Sequence, residues 1–132
     1  MIQPEQIFTD TVLQTLFPAE RANDFFDALF GDASEGAYDI ALTFEGYEPA
    51  QQLLHFSLNL HERPGRCLAC NLTYGLPEVF SRHPVINIKG LVRDIEQLLG
   101  GAMVCENWKL AHTEQKGRSL HCIPLRIHLK QP

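Results

Sequence analysis

A chain of 132 residues, 45% apolar and 20% charged, is long enough to bury a continuous core without disulfides or a structural metal, and its composition excludes a disordered polymer. The formal charge of −5, with eleven Lys and Arg scattered among sixteen acids, excludes the basic face that nucleic acid requires and opposes an anionic membrane surface. The opening MIQPEQIFTD has neither the basic segment nor the apolar run of a secretory signal, and no stretch of about 18 apolar residues could span a bilayer. A cytoplasmic address is expected, with the four cysteines held as reduced thiols.

Residues 4–16, PEQIFTDTVLQTL, place Ile7, Phe8, Val12, Leu13 and Leu16 at helical spacing, with Pro4 tolerated in the first turn. A second helix opens at Pro18, sets Ala22, Phe25, Phe26, Leu29 and Phe30 on one face, and ends at Gly31. From Tyr38 the period becomes two: Tyr38, Ile40, Leu42 and Phe44 alternate with polar or small residues, and Gly46 to Pro49 reads as a turn. The next strand puts Leu54, Phe56, Leu58 and Leu60 on one face and His55, Ser57, Asn59 and His61 on the other.

After the turn ERPG, alternation continues through residues 66–74, with Leu68, Cys70, Leu72 and Tyr74 on the apolar side and Cys67 on the opposite one. This matters for the Cys67-x-x-Cys70 pair. Residues three apart in a strand face opposite ways, whereas a redox pair needs its first Cys at a helix N-terminus. No helix begins here, and Cys70 reads as a small buried hydrophobe. A short turn begun at Pro77 stops before Pro84. Asn87 then caps a helix whose stripe is Ile88, Leu91, Val92, Ile95, Leu98 and Leu99. Two closing strands, Met103 to His112 and Leu120 to Lys130, flank the turn TEQKGR. Pro124 lacks a ladder donor and predicts an edge position or a bulge. Glu106 breaks the alternation that places Trp108 and Leu110 inside and Cys105, Asn107 and Lys109 outside. The sum is one α+β domain over residues 1–132: a five-stranded, mainly antiparallel sheet with helices on one face, in the order αα-βββ-α-ββ.

Parity puts Cys67, Cys105, Cys122, His55, His61 and His128 on the sheet face away from the helices. Thiolate and imidazole are the ligands zinc prefers, so Cys67, Cys105, Cys122, His55 and His128 form a candidate metal set. The spacing lacks the second close Cys pair of a zinc ribbon. No Walker A loop, Gly-x-Ser-x-Gly elbow or His-Glu-x-x-His helix occurs, so the residues name no catalytic constellation. The other candidate is an interface. Phe8, Phe17, Phe25, Phe26 and Phe30 give the two N-terminal helices more aromatic area than a helix pair hides internally, and whatever the sheet does not take up would meet a partner.

The element order and acidic balance are similar to those of type III secretion chaperones, small dimeric proteins that hold an unfolded effector segment; the closing helix of that family has no counterpart here, and the two opening helices are additional. The block RPGRCLACNLTYGLPEVFSRHPVINIKG resembles a segment of a family of small uncharacterised bacterial proteins, some labelled pancreas/duodenum homeobox protein 1. A homeodomain needs a basic recognition helix carrying an Asn and a basic arm, and this sequence contains neither. The expectation is a non-enzymatic binding or accessory protein of the cytoplasm, homodimeric, with no cofactor, acting on a protein partner or itself through a sheet edge or an apolar helix patch. The alternative is a zinc-binding protein using the Cys and His set.

Overall fold

The computed structural model of the chain describes residues 3–32, 36, 38–65 and 76–132, without the side chains of Leu29, Phe30, Leu76 and Glu78. Helices α1 (Pro4–Ile7), α2 (Asp10–Leu16) and α3 (Glu20–Phe30) precede strands β1 (Tyr38–Glu48) and β2 (Leu53–Glu62). Helices α4 (Leu76–Arg82) and α5 (Ile88–Leu98) then lead to strands β3 (Val104–Leu110), β4 (Glu114–Gln115) and β5 (Leu120–Lys130). The strands form one antiparallel sheet ordered β1-β2-β5-β3, with β4 also paired to β5. The fold is thus α+β with helices on one sheet face, as the periodicities predict. The strand expected over 66–74 lies outside the described residues. The sheet's fifth strand is β4, two residues inside the segment read as a turn.

The helix expected over 4–16 is two helices. Thr9 adopts an extended conformation and its side chain accepts a hydrogen bond from the Val12 N–H at 3.3 Å, starting α2 afresh. The break turns Phe8 into the core, where its ring lies 5.3 Å from Phe44 and 5.0 Å from Phe56. At the end of α3, Gly31 takes φ 75° and its N–H closes on the Asp27 carbonyl at 2.7 Å, a left-handed cap that other residues adopt only with strain. Asn87 caps α5 as expected, accepting from the Gly90 N–H at 3.2 Å.

Three departures from regular alternation shape the sheet. In β1 the register shifts between Phe44 and Gly46, so Glu45 is the extra residue of a bulge, and the strand continues to Glu48 where a turn was expected. In β3 the shift falls between Cys105 and Asn107, which makes Glu106 the extra residue. Pro124 sits in a central strand, correcting the edge assignment. Its carbonyl accepts from the Ala111 N–H at 2.9 Å, so its missing donor also faces the β3–β4 side, where the chain leaves the ladder between Leu110 and Glu114. The proline is accommodated because the neighbouring strand is interrupted beside it.

Against the inner face lie α1, α2 and α3 on β1, and α4 and α5 on β3. Ile40 and Leu42, Leu54 to Leu60 at alternate positions, and Ile123 to Leu129 at alternate positions join Phe25, Phe80, Ile86, Leu91 and Ile95 in one hydrophobic cluster. Burial of this apolar area is the main force holding helices to sheet.

Candidate functional site

The outer face of the sheet carries the polar half of every strand, and register shows which side chains share it. His55 of β2 lies opposite Arg126 of β5, which lies opposite Lys109 of β3. One row away, His128 lies opposite Leu53 on one side and Asn107 on the other. Asn59 lies between Ala41 and Cys122, and Ser57 between Thr43 and Pro124.

Hydrogen bonds tie the β1–β2 part of this face together. Ser57 Oγ donates to Asn59 Oδ1 at 2.9 Å, Asn59 Nδ2 donates to Thr43 Oγ1 at 3.0 Å, and Thr43 Oγ1 donates to Glu45 Oε1 at 2.7 Å. The chain runs in one donor direction and ends on a carboxylate, the sense in which such bonds reinforce one another. His55 Nε2 pairs with Glu48 Oε1 at 3.0 Å, a contact that exists because the bulge carries β1 past Gly46. These groups, with Glu114, Lys116, Cys122, Pro124 and Arg126, border an open hollow of about 380 Å³. Ser57 gives its proton to Asn59, and His55 is engaged by Glu48, so no hydroxyl–imidazole nucleophile pair is assembled.

The candidate metal set divides between the two faces. His55, Cys122 and His128 are on the outer face, and Cys67 lies outside the described residues. Cys105 is on the inner face, correcting its outward assignment, because the Glu106 bulge consumes one residue and reverses parity before it. Its N–H donates to Glu96 Oε2 at 2.6 Å, and its Sγ lies 4.0 Å from the Val92 carbonyl. Burial, then the charge of Glu96 and a side-chain hydrogen bond to it, push the thiol up to about 11, the opposite of what a reactive or metal-binding thiol needs. Among the described residues no three His, Cys, Asp or Glu side chains are placed to hold one ion.

The candidate aromatic interface is also redistributed. Phe8, Phe17, Phe25 and Phe26 are at most 4% exposed. The sheet and helices take them up: Phe26 meets Tyr38 at 4.9 Å, and Phe25 meets Phe80 at 5.4 Å and His83 at 4.8 Å. They are core residues and present no patch; Phe30's side chain is not among those described. His121 is buried, and its Nδ1 finds no hydrogen-bond partner among the described residues.

The other distinctive surface is the free edge of β1. Among the described residues this 11-residue strand pairs with β2 alone. Alongside it runs a groove of about 640 Å³ bounded by Ile40, Ala41, Leu42 and Thr43 on the strand and by Asp10, Leu13, Gln14, Phe17, Pro18 and Glu20 on the helices. Among the described residues, Asp10 and Glu20 are its charged lining residues, both acidic. Sequence could locate the strand but not this groove, which depends on the kink at Thr9 and the corner before α3. No helix is long and apolar enough to cross a membrane among the described residues. In comparisons with known proteins no family model matches the chain, and no curated protein or solved structure does so either.

Proposed function

We propose that this is a non-enzymatic binding protein that takes up an extended segment of a protein partner along the free edge of β1. The observation that carries the reading is the long edge strand, unpaired on one side among the described residues and bordered by an apolar groove with an acidic rim. An added strand would gain main-chain hydrogen bonds from the edge, and Pro18, Ala19 and Ala41, the apolar lining residues that are at least partly exposed, would meet its alternate apolar side chains. Asp10 and Glu20 favour Lys or Arg at the segment's polar positions. The similarity of element order to secretion chaperones, which hold unfolded segments, agrees with this use. On this reading the protein works in the cytoplasm as a homodimer, with a second copy's own edge competing for the groove.

Selection from a random peptide display library, followed by amide shift mapping, tests the proposal. Selected peptides should alternate apolar residues with Lys or Arg, shift β1 amides, and lose binding to the Ala41→Lys variant while circular dichroism is unchanged. Peptides that map elsewhere, or that bind Ala41→Lys equally well, would refute it. Light scattering across a concentration series decides the homodimer.

A further inference from the structure

The hollow of about 380 Å³ on the outer face gathers charges of both signs, with Glu45, Glu48, Glu114, His55, Lys116 and Arg126 on its border. Register explains the gathering. Arg126 of β5 stands opposite His55 of β2, which stands opposite Gly46 of β1, so the row ends on β1 in a residue without a side chain, between Glu45 of the bulge and Glu48.

Four of the six groups are matched within the chain: His55 Nε2 lies 3.0 Å from Glu48 Oε1, and Lys116 Nζ lies 3.3 Å from Glu114 Oε2. Arg126 and Glu45 are left over. Neither makes an ion pair among the described residues, although they border the same space. Glu45 accepts from Thr43 through Oε1, which leaves its second oxygen uncommitted, and Arg126 makes no side-chain hydrogen bond among the described residues. Both side chains are exposed, so a solute can reach them.

We propose that this hollow binds a dipeptide with free termini, its carboxylate on Arg126 and its ammonium on Glu45. A simple acid would bring its charge toward three carboxylates, and a simple amine would bring its charge toward Arg126 and Lys116; a solute carrying both charges, correctly spaced, meets neither penalty. Spacing sets the size. Neighbouring strands lie about 4.8 Å apart, so β1 and β5, with β2 between them, hold their backbones about 10 Å apart, and the two side chains close part of that distance. At about 3.5 Å per extended residue the ends of a dipeptide stand about 7 Å apart, whereas a single α-amino acid carries both charges on one carbon. The guanidinium fork suits the two carboxylate oxygens. Pro124 and Cys122, which also line the hollow, would meet small apolar side chains.

The test is an amide shift titration of the full chain with dialanine at low ionic strength. Saturable shifts are expected at Glu45, Glu48, His55 and Arg126. Arg126→Gln and Glu45→Gln should each weaken binding roughly tenfold, the loss of one hydrogen bond to a charged group. N-acetyl-dialanine and dialanine amide, each lacking one terminal charge, should be weakened as much. Shifts that stay linear, that centre on residues 40–43 of the β1 groove, or that survive both substitutions would overturn the proposal. So would blocked dipeptides or free alanine that bind as tightly as dialanine. The β1 edge takes a segment whatever its ends, so failure here leaves that reading standing, and failure there leaves this one.

Discussion

Along β2, Leu54, Phe56, Leu58 and Leu60 lie at most 1% exposed beneath the helices, while His55, Ser57 and Asn59, one residue removed, are held on the far face by hydrogen bonds. One strand therefore serves two physical regimes. The inner face gains its free energy from area withdrawn from water, which is insensitive to direction and tolerant of exchange among apolar shapes. The outer face is organised by donors and acceptors, each worth little alone and costly only when left without a partner. The inner face fixes where the backbone runs; the outer face is free to carry specificity.

The sharpest way to break this contrast is Phe56→Ala. The ring is 1% exposed and touches Phe8 and Phe44, so urea denaturation should show a loss of about 3–5 kcal/mol. Next is Glu96→Ala, which strips the acceptor from the Cys105 N–H; about 1–3 kcal/mol should be lost, and iodoacetamide should label Cys105 faster at a given pH. The same site gives the chain an alkaline slope. Because the folded thiol is raised to about 11, the folded chain keeps a proton that the unfolded chain gives up at lower pH, and stability falls as pH climbs from the ordinary thiol range toward that value. Cys105→Ala should flatten part of that slope in denaturation midpoints taken at successive pH values. On the outer face, Thr43→Val removes the link between Asn59 and Glu45 and should cost about 1 kcal/mol. Smallest is Lys116→Gln, at a pair half exposed on both sides, where a change within about 0.5 kcal/mol is expected.

How far the fold was legible follows the same division. Wherever apolar residues repeat without interruption, as in Leu54 to Leu60 or Ile88 to Ile95, period alone placed the element and its buried face, although Leu98, read into the same stripe, is 40% exposed. It misled wherever one residue interrupts the period. Glu106 reads as a blemish in a strand, but as a bulge it sends Cys105 to the opposite face from Cys122 and divides the metal set that parity had gathered. Gly46 reads as a turn, but as part of the Glu45 bulge it lets β1 reach Glu48 and pair it with His55. The phenylalanines of the first helices were legible as apolar, not as consumed, since how much area a sheet takes up depends on how helices cross it. The groove joins residues far apart in sequence, and no local pattern encodes it.

Pro124 has one more consequence. The interruption between β3 and β4 that accommodates it leaves the sheet, among the described residues, with a single long free margin at β1 and a broken one at the other side. Among the described residues, identical molecules that joined margin to margin at β1 would use up the one long margin in the first encounter, giving a closed pair, whereas head-to-tail stacking requires two continuous margins.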